Sequence, residues 1–169
     1  DLSQIKFKNN NTGWAAGYDG RILATSNGGL NWYYKVDEPN GNLTSVVFKD
    51  STTGWIAVNE GKILKSTNGG FNWSLQHLTG IQINDVKFLG DDKLIIVGNS
   101  GSIFYTSNGG VNWNLENIGT SNLNSANFLD NNTGWICGSS GNVFKTTNGG
   151  LNWIAINSGT TFNLTSICF

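Results

Sequence analysis

The sequence predicts an all-β fold, a β-propeller built from four-stranded antiparallel blades. Three observations carry that expectation. The phrase Thr25-Ser26-Asn27-Gly28-Gly29-Leu30-Asn31-Trp32 returns three times, closing at Trp73, Trp113 and Trp153. That is a period of about 40 residues, the length of one four-stranded unit in a stacked array. Between the phrases lie short apolar segments separated by Gly- and Asn-rich stretches, the pattern of strands and tight turns. No segment of helical length carries a 3.6-residue apolar period.

Aligning on the phrase divides the chain into blades 1–41, 42–81, 82–121 and 122–162, with 163–169 reading as the first strand of a further blade. Each blade opens on strand a: Leu2-x-x-Ile5-x-Phe7, Leu43-x-x-Val46-x-Phe48, Ile83-x-x-Val86-x-Phe88, Leu123-x-x-Ala126-x-Phe128. The last two apolar positions lie two apart and share one face. A polar turn then leads to strand b, which starts at Trp14, Trp55 or Trp135. In the third blade Asp91-Asp92-Lys93-Leu94 replaces that turn and Ile95 replaces the Trp. The b–c turn ends in Gly20, Gly61, Gly101 or Gly141, and Asp19-Gly20 and Glu60-Gly61 read as hairpin turns with positive φ at Gly. Strand c follows, and the phrase turns the chain into strand d, expected to start at the phrase Trp. The tail Leu164-Thr165-Ser166-Ile167-Cys168-Phe169 repeats the strand a pattern. Four blades and one extra strand predict a partial propeller, a fragment of a ring of roughly five to eight blades or a half completed by a second copy.

The bulk composition narrows the function classes. Only 12% of the 169 residues are charged, the formal net charge is −1, and nine Lys accompany one Arg. No basic stripe forms, so nucleic acid is not an expected partner. No apolar run reaches the length of a membrane span. Low charge and abundant Asn, Gly, Ser and Thr suit an extracellular, periplasmic or lumenal surface. Cys137 falls at a core position of strand b and Cys168 off the apolar face of the tail strand, so both are expected as free thiols.

The phrase resembles the Asp-box, or bacterial neuraminidase repeat, Ser/Thr-x-Asp-x-Gly-x-Thr-Trp. It keeps Ser/Thr, Gly29, Gly70, Gly110 and Gly150, and Trp32, Trp73, Trp113 and Trp153. Asn27, Asn68, Asn108 and Asn148 stand at the Asp position, and Asn31, Asn72, Asn112 and Asn152 at the Thr position. The added Gly and the Thr-Gly-Trp strand starts look most like the propeller repeats of photosystem II stability/assembly factors. The resemblance covers the whole chain. It implies the propeller fold, a structural role for the phrase, and an assembly-factor role as one sub-case. The residues themselves also assign the phrase to structure. Asn-Gly-Gly supplies positive φ, the hydroxyl and the second Asn can satisfy backbone groups, and the Trp can pack between sheets.

Catalysis finds little support. Sialidases, which the repeat resembles, hold the substrate carboxylate with three arginines, and this chain has Arg21 alone. Another glycosidase needs two carboxyl groups across the sugar bond. Asp19 and Glu60 at equivalent turns, and Asp37, Glu38 and Asp85 in or just after d–a loops, are the candidates. His77 is the single histidine and has no second ligand at metal spacing, so no metal and no cofactor are expected. The reading that remains is a non-catalytic binding or scaffold propeller recognising protein or carbohydrate through b–c turns and d–a loops. Tyr18, Asp19, Arg21, Asp37, Glu38, Glu60 and His77 are the candidate contacts. Two alternatives stay open: part of a secreted glycan-processing hydrolase with its catalytic residues outside this segment, and a structural repeat of a surface layer or filament that self-associates through open edge strands.

Overall fold

A computed structural model describes residues 1–34 and 41–169. Among the described residues sixteen strands form four four-stranded antiparallel sheets, each a simple meander. Blade 1 holds β1 (Leu2–Phe7), β2 (Gly13–Gly17), β3 (Ile22–Thr25) and β4 (Tyr33–Tyr34). Blade 2 holds β5 (Leu43–Phe48), β6 (Gly54–Val58), β7 (Lys62–Ser66) and β8 (Ser74–Leu78). Blade 3 holds β9 (Ile83–Gly90), β10 (Lys93–Gly98), β11 (Ser102–Thr106) and β12 (Asn114–Asn117). Blade 4 holds β13 (Leu123–Phe128), β14 (Gly134–Gly138), β15 (Val143–Thr146) and β16 (Ile154–Ile156). This is the propeller class. Strand d begins one residue after the phrase Trp, because the turn still contains that residue.

The chain forms two compact units, Asp1–Ile83 and Asn84–Phe169. In the first, Ala16, Ile22, Leu43, Val46, Ile56, Val58 and Leu64 make one buried cluster, with Phe48 and Trp73 against it. In the second, Leu89, Ile95, Val97, Ile103, Leu123, Ala126 and Ile136 do the same. Strand b of blade 2, Gly54–Val58, is buried along its whole length, so it reads as a continuous apolar run rather than an alternating one. Each fully buried Ile, Leu or Val contributes about 1.5–3 kcal/mol.

Neighbouring blades are joined in the same way in both units. In the first, Ser3 Oγ donates to the Leu43 carbonyl at 2.6 Å and Gln4 Oε1 accepts the Val46 N–H at 2.7 Å. In the second, Asn84 Nδ2 donates to the Leu123 carbonyl at 2.8 Å and Asp85 Oδ2 accepts the Ala126 N–H at 3.1 Å. Trp14 of strand b stacks on Phe48 of the next strand a, centroids 3.7 Å apart and planes 9° from parallel.

The phrase Trp meets a Phe of its own blade, and Trp73 and Trp153 also pack against clusters drawn from two neighbouring sheets, as the sequence predicts. Trp32, Trp73 and Trp153 each meet Phe7, Phe48 and Phe128 edge-on at 5.9–6.0 Å. Those Phe rings lie over Gly13, Gly54 and Gly134, where a Cβ would clash, so the Gly before strand b is a seat for a ring. One expectation needs correction: Asp85, just after the d–a loop, is not solvent-exposed. It lies in β9, 5% exposed, paired with Lys87 at 2.7 Å and bonded to Ser125, because it supplies the acceptor that joins blade 3 to blade 4.

The a–b turns are held by an Asx side chain. Asn9, Asp50 and Asp130 each accept two backbone N–H groups, those of residues two and three ahead. The Thr52 hydroxyl, then the Thr53 and Thr52 N–H groups, hold the Asp50 carboxyl down to about 2. A depressed carboxylate stabilises the fold above its unfolded value and loses that contribution as pH falls through the folded one. Wild-type melting temperature is therefore expected to fall between about pH 4 and pH 2, and Asp50→Asn, with the side chain found at position 9, is expected to flatten part of that slope. Parallel melts across this pH range provide the check; equal slopes would remove Asp50 from the account. Blade 3 replaces this turn with a two-residue hairpin turn, Asp91 and Asp92 at φ 49° and 60°. Asp tolerates that left-handed region better than most residues.

Candidate functional site

The phrase closes every c–d turn by one hydrogen-bond scheme. In blade 3 the Thr106 hydroxyl donates to Asn108 Oδ1 at 2.9 Å and accepts the Gly110 N–H at 3.0 Å. Asn108 Oδ1 also accepts the Asn112 N–H at 3.0 Å. Thr25, Ser66 and Thr146 repeat the scheme with Asn27, Asn68 and Asn148. The first Asn therefore reaches a backbone group four residues ahead, not two, and the second Asn takes part through its own N–H. The two Gly carry the turn at positive φ: Gly28 at 71° and Gly29 at 87° in blade 1. The first Gly N–H donates to the a–b turn, as Gly28 does to Asn11 at 2.8 Å. The phrase thus ties its turn to the neighbouring turn of the same blade.

The opposite end of each blade carries the b–c turn and the d–a loop, and these too are bonded together. In blade 1 the turn has positive φ at both Asp19 (57°) and Gly20 (70°). The Gly20 N–H donates to the Gly41 carbonyl at 3.0 Å and the Asp19 N–H to Asn42 Oδ1 at 3.4 Å. Ser100 and Ser140 repeat the Asp19 bond with Asn122 and Asn163. In blade 2 the Thr79 N–H reaches the Gly61 carbonyl at 2.8 Å. A Cβ on Gly41 would lie 3.7 Å from the Glu60 side chain. The Asp19 turn, the Gly41-Asn42 segment and Glu60 therefore meet at one end of the first unit.

The sequence-predicted contacts divide accordingly. Tyr18, Asp19, Arg21 and Glu60 are exposed at these turns, and Glu60 pairs with Lys62 at 2.6 Å. Arg21 lines a cavity of about 260 Å³ with Asp1, Leu2, Leu23 and Tyr34. His77 is half-buried on the outer strand β8, opposite Ile63. Asp37 and Glu38 lie outside the described residues. A second cavity, about 220 Å³, runs along the blade 3 d–a loop, Ile118, Gly119, Thr120 and Ser121, to Asn142 and Phe144. Sequence reasoning missed this groove, because its lining is formed by loop backbone and residues a blade apart.

Among the described residues no group of three or more His, Cys, Asp or Glu side chains is placed to hold a metal ion. No helix among them is long and apolar enough to cross a membrane. Cys137 is buried and Cys168 exposed, both free; burial, then the Asp85 carboxylate, push the Cys137 thiol up.

The model of the family described as "Photosynthesis system II assembly factor YCF48" matches residues 1–121. No curated protein matches the chain. Among solved structures, "YCF48 bound to D1 peptide" is 18% identical with a TM-score of 0.63, covering 99% of this chain and 86% of that one. YCF48 from Cyanidioschyzon merolae is 24% identical with a TM-score of 0.77, and the chain spans 59% of its length; the match covers 99% of this chain. An ancestral GH74 enzyme is 22% identical with a TM-score of 0.79, over 92% of this chain and 24% of the enzyme. These likenesses establish the propeller fold.

Proposed function

The chain belongs to the family described as Photosynthesis system II assembly factor YCF48, and on that premise we propose a non-catalytic propeller that binds a segment of another protein. The binding surface is the end where b–c turns and d–a loops meet. One observation carries the reading: those turns are fixed by backbone bonds that recur between copies, while the side chains they present differ. Tyr18-Asp19, Asn59-Glu60, Asn99-Ser100 and Ser139-Ser140 occupy equivalent turns. Within each unit, a fixed frame with variable tips suits recognition of an extended segment with little ordering cost. A lumenal, periplasmic or extracellular setting accompanies this reading.

A relative is bound to a D1 peptide, so a D1 peptide is the first probe. Its capture by this chain is expected to weaken at least about tenfold, a loss of roughly 1.4 kcal/mol, in Asp19→Ala/Glu60→Ala. Leu30→Ser, at the opposite end of blade 1, should leave capture unchanged. Titration calorimetry on the three chains reads this; equal losses at both ends would reject the surface. The rival, part of a glycan-processing hydrolase with its catalytic residues outside this segment, predicts no capture of the peptide and glycan turnover that Asp19→Ala/Glu60→Ala leaves intact.

A further inference from the structure

Every copy of the phrase contains an Asn-Gly pair: Asn27-Gly28, Asn68-Gly69, Asn108-Gly109 and Asn148-Gly149. Such a pair is chemically labile, because glycine has no side chain to shield its backbone nitrogen. Once deprotonated, that nitrogen can attack the Asn side-chain carbon Cγ. A new N–Cγ bond closes a five-membered succinimide, and the amide nitrogen takes up a proton and leaves as ammonia. Water then opens the ring. It gives Asp when it breaks the new N–Cγ bond and isoaspartate when it breaks the original main-chain bond. No oxidant or reductant takes part.

Burial does not protect these pairs. Asn68, Asn108 and Asn148 are exposed to water and Asn27 is half-buried. The restraint comes from hydrogen bonds. Each attacking nitrogen donates to a carbonyl of its a–b turn: Gly28 to Asn11, Gly109 to Asp92 and Gly149 to Asn132 at 2.8 Å, and Gly69 to Thr52 at 2.7 Å. A nitrogen stripped of that proton would face the carbonyl oxygen directly, so the bond favours the unreactive neutral amide. The target carbon is held as well. Its Oδ1 accepts the Thr or Ser hydroxyl and the backbone N–H four residues ahead. Those donors also polarise Cγ, which favours attack, so the decisive restraint lies on the nitrogen.

In three blades the restraining carbonyl belongs to a residue that the Asx side chain of the a–b turn holds in place. Asp50 Oδ1 accepts the Thr52 N–H at 2.8 Å, and the Thr52 carbonyl accepts the Gly69 N–H. Asp130 holds Asn132 at 2.7 Å, and Asn132 holds Gly149. Asn9 holds Asn11 at 3.0 Å, and Asn11 holds Gly28. We propose that the Asn-Gly pair of each phrase is a latent deamidation site, kept closed by the a–b turn of its own blade and opened singly when that turn loosens. The reactant is water, and the products are ammonia and a new carboxylate. An Asp product keeps both bonds to Oδ1, so the turn persists with an added negative charge. An isoaspartate puts an extra methylene into the main chain and carries the two positive-φ glycines out of register.

Incubation of the full chain in mildly alkaline buffer, followed by peptide mass spectrometry, reads each pair by the mass gain of an amide turned acid. In denaturant the four pairs should convert at similar rates, since each sits in the same Asn-Gly-Gly. In the folded wild type each should convert at least about tenfold more slowly, in proportion to the population of its open turn. Asp50→Ala should speed Asn68 at least about tenfold over wild type and leave Asn27, Asn108 and Asn148 unchanged. Asp130→Ala should speed Asn148 alone. Asp50→Asn, with the side chain found at position 9, should keep Asn68 slow. Circular dichroism before incubation confirms that each variant is folded; should Asp50→Ala not fold, Asp130→Ala in the second unit carries the same test. Equal acceleration at all four pairs in a folded variant overturns the proposal, because global opening then carries the reaction. An unchanged rate at the blade's own pair overturns it too, as does a folded wild type that converts as fast as the denatured chain.

Discussion

Trp14→Ala is expected to destabilise the chain by about 3–5 kcal/mol, the usual cost of emptying a large aromatic site. Melting temperature should drop by roughly 6–20 °C at this chain length. Trp14 is 3% exposed and its whole face lies on Phe48 of the next blade, so the substitution opens a cavity inside a blade junction. Phe48 also meets Trp73 edge-on and lies over Gly54, so Phe48→Ala should cost a similar amount. The pair is expected to be non-additive by about 0.5–1.5 kcal/mol in a double-mutant cycle. Urea unfolding of the four chains supplies the numbers. A Trp14→Ala cost below about 1 kcal/mol would show that this stack does not hold the blades together.

The second large effect falls on the c–d turn. Thr106→Ala removes a buried hydroxyl that serves both Gly110 and Asn108. It strands the buried Gly110 N–H, which costs about 1–3 kcal/mol. Thr106→Ser should cost far less, since Ser66 fills the role in blade 2. Asn108→Asp should be nearly neutral at pH 7, because both bonds to Oδ1 come from donors, the Thr106 hydroxyl and the Asn112 N–H. Asn108→Leu should approach the cost of Thr106→Ala. Thermal melts of the four variants check the order; a destabilised Asn108→Asp chain would mean that the amide nitrogen matters.

These contrasts locate what was legible in the sequence. The c–d turns were readable because their chemistry is local: hydroxyl, amide and two positive-φ glycines lie within eight residues. The blade period and strand order followed from spacing. The joints between blades were not readable. Gln4 and Asp85 look like surface residues on a strand, and only the approach of a second strand a about 40 residues on gives them backbone N–H groups to accept. Phe48 is equally opaque: its alternation places it on a face, but its two Trp neighbours and its seat on Gly54 come from three different segments. At the b–c turns, the glycines were legible through their positive φ. The positive φ at Asp19, Ser100 and Ser140 was not, because polar residues at turns have many conformations open to them.

The inter-blade bonds have a consequence for how the chain comes to exist. Each spans a sequence separation of 39 to 42 residues, the Ser3 bond 40 and the Gln4–Val46 bond 42, with 39 for Asn84 and 41 for Asp85–Ala126. No such joint waits for the far end of the chain. At about 5–20 residues per second, one blade leaves the ribosome roughly every 2–8 s, long compared with the microseconds of hairpin formation. Blade 2 can therefore fold against blade 1, and blade 4 against blade 3, as soon as it is made, and within each unit synthesis itself lays the blades down in order.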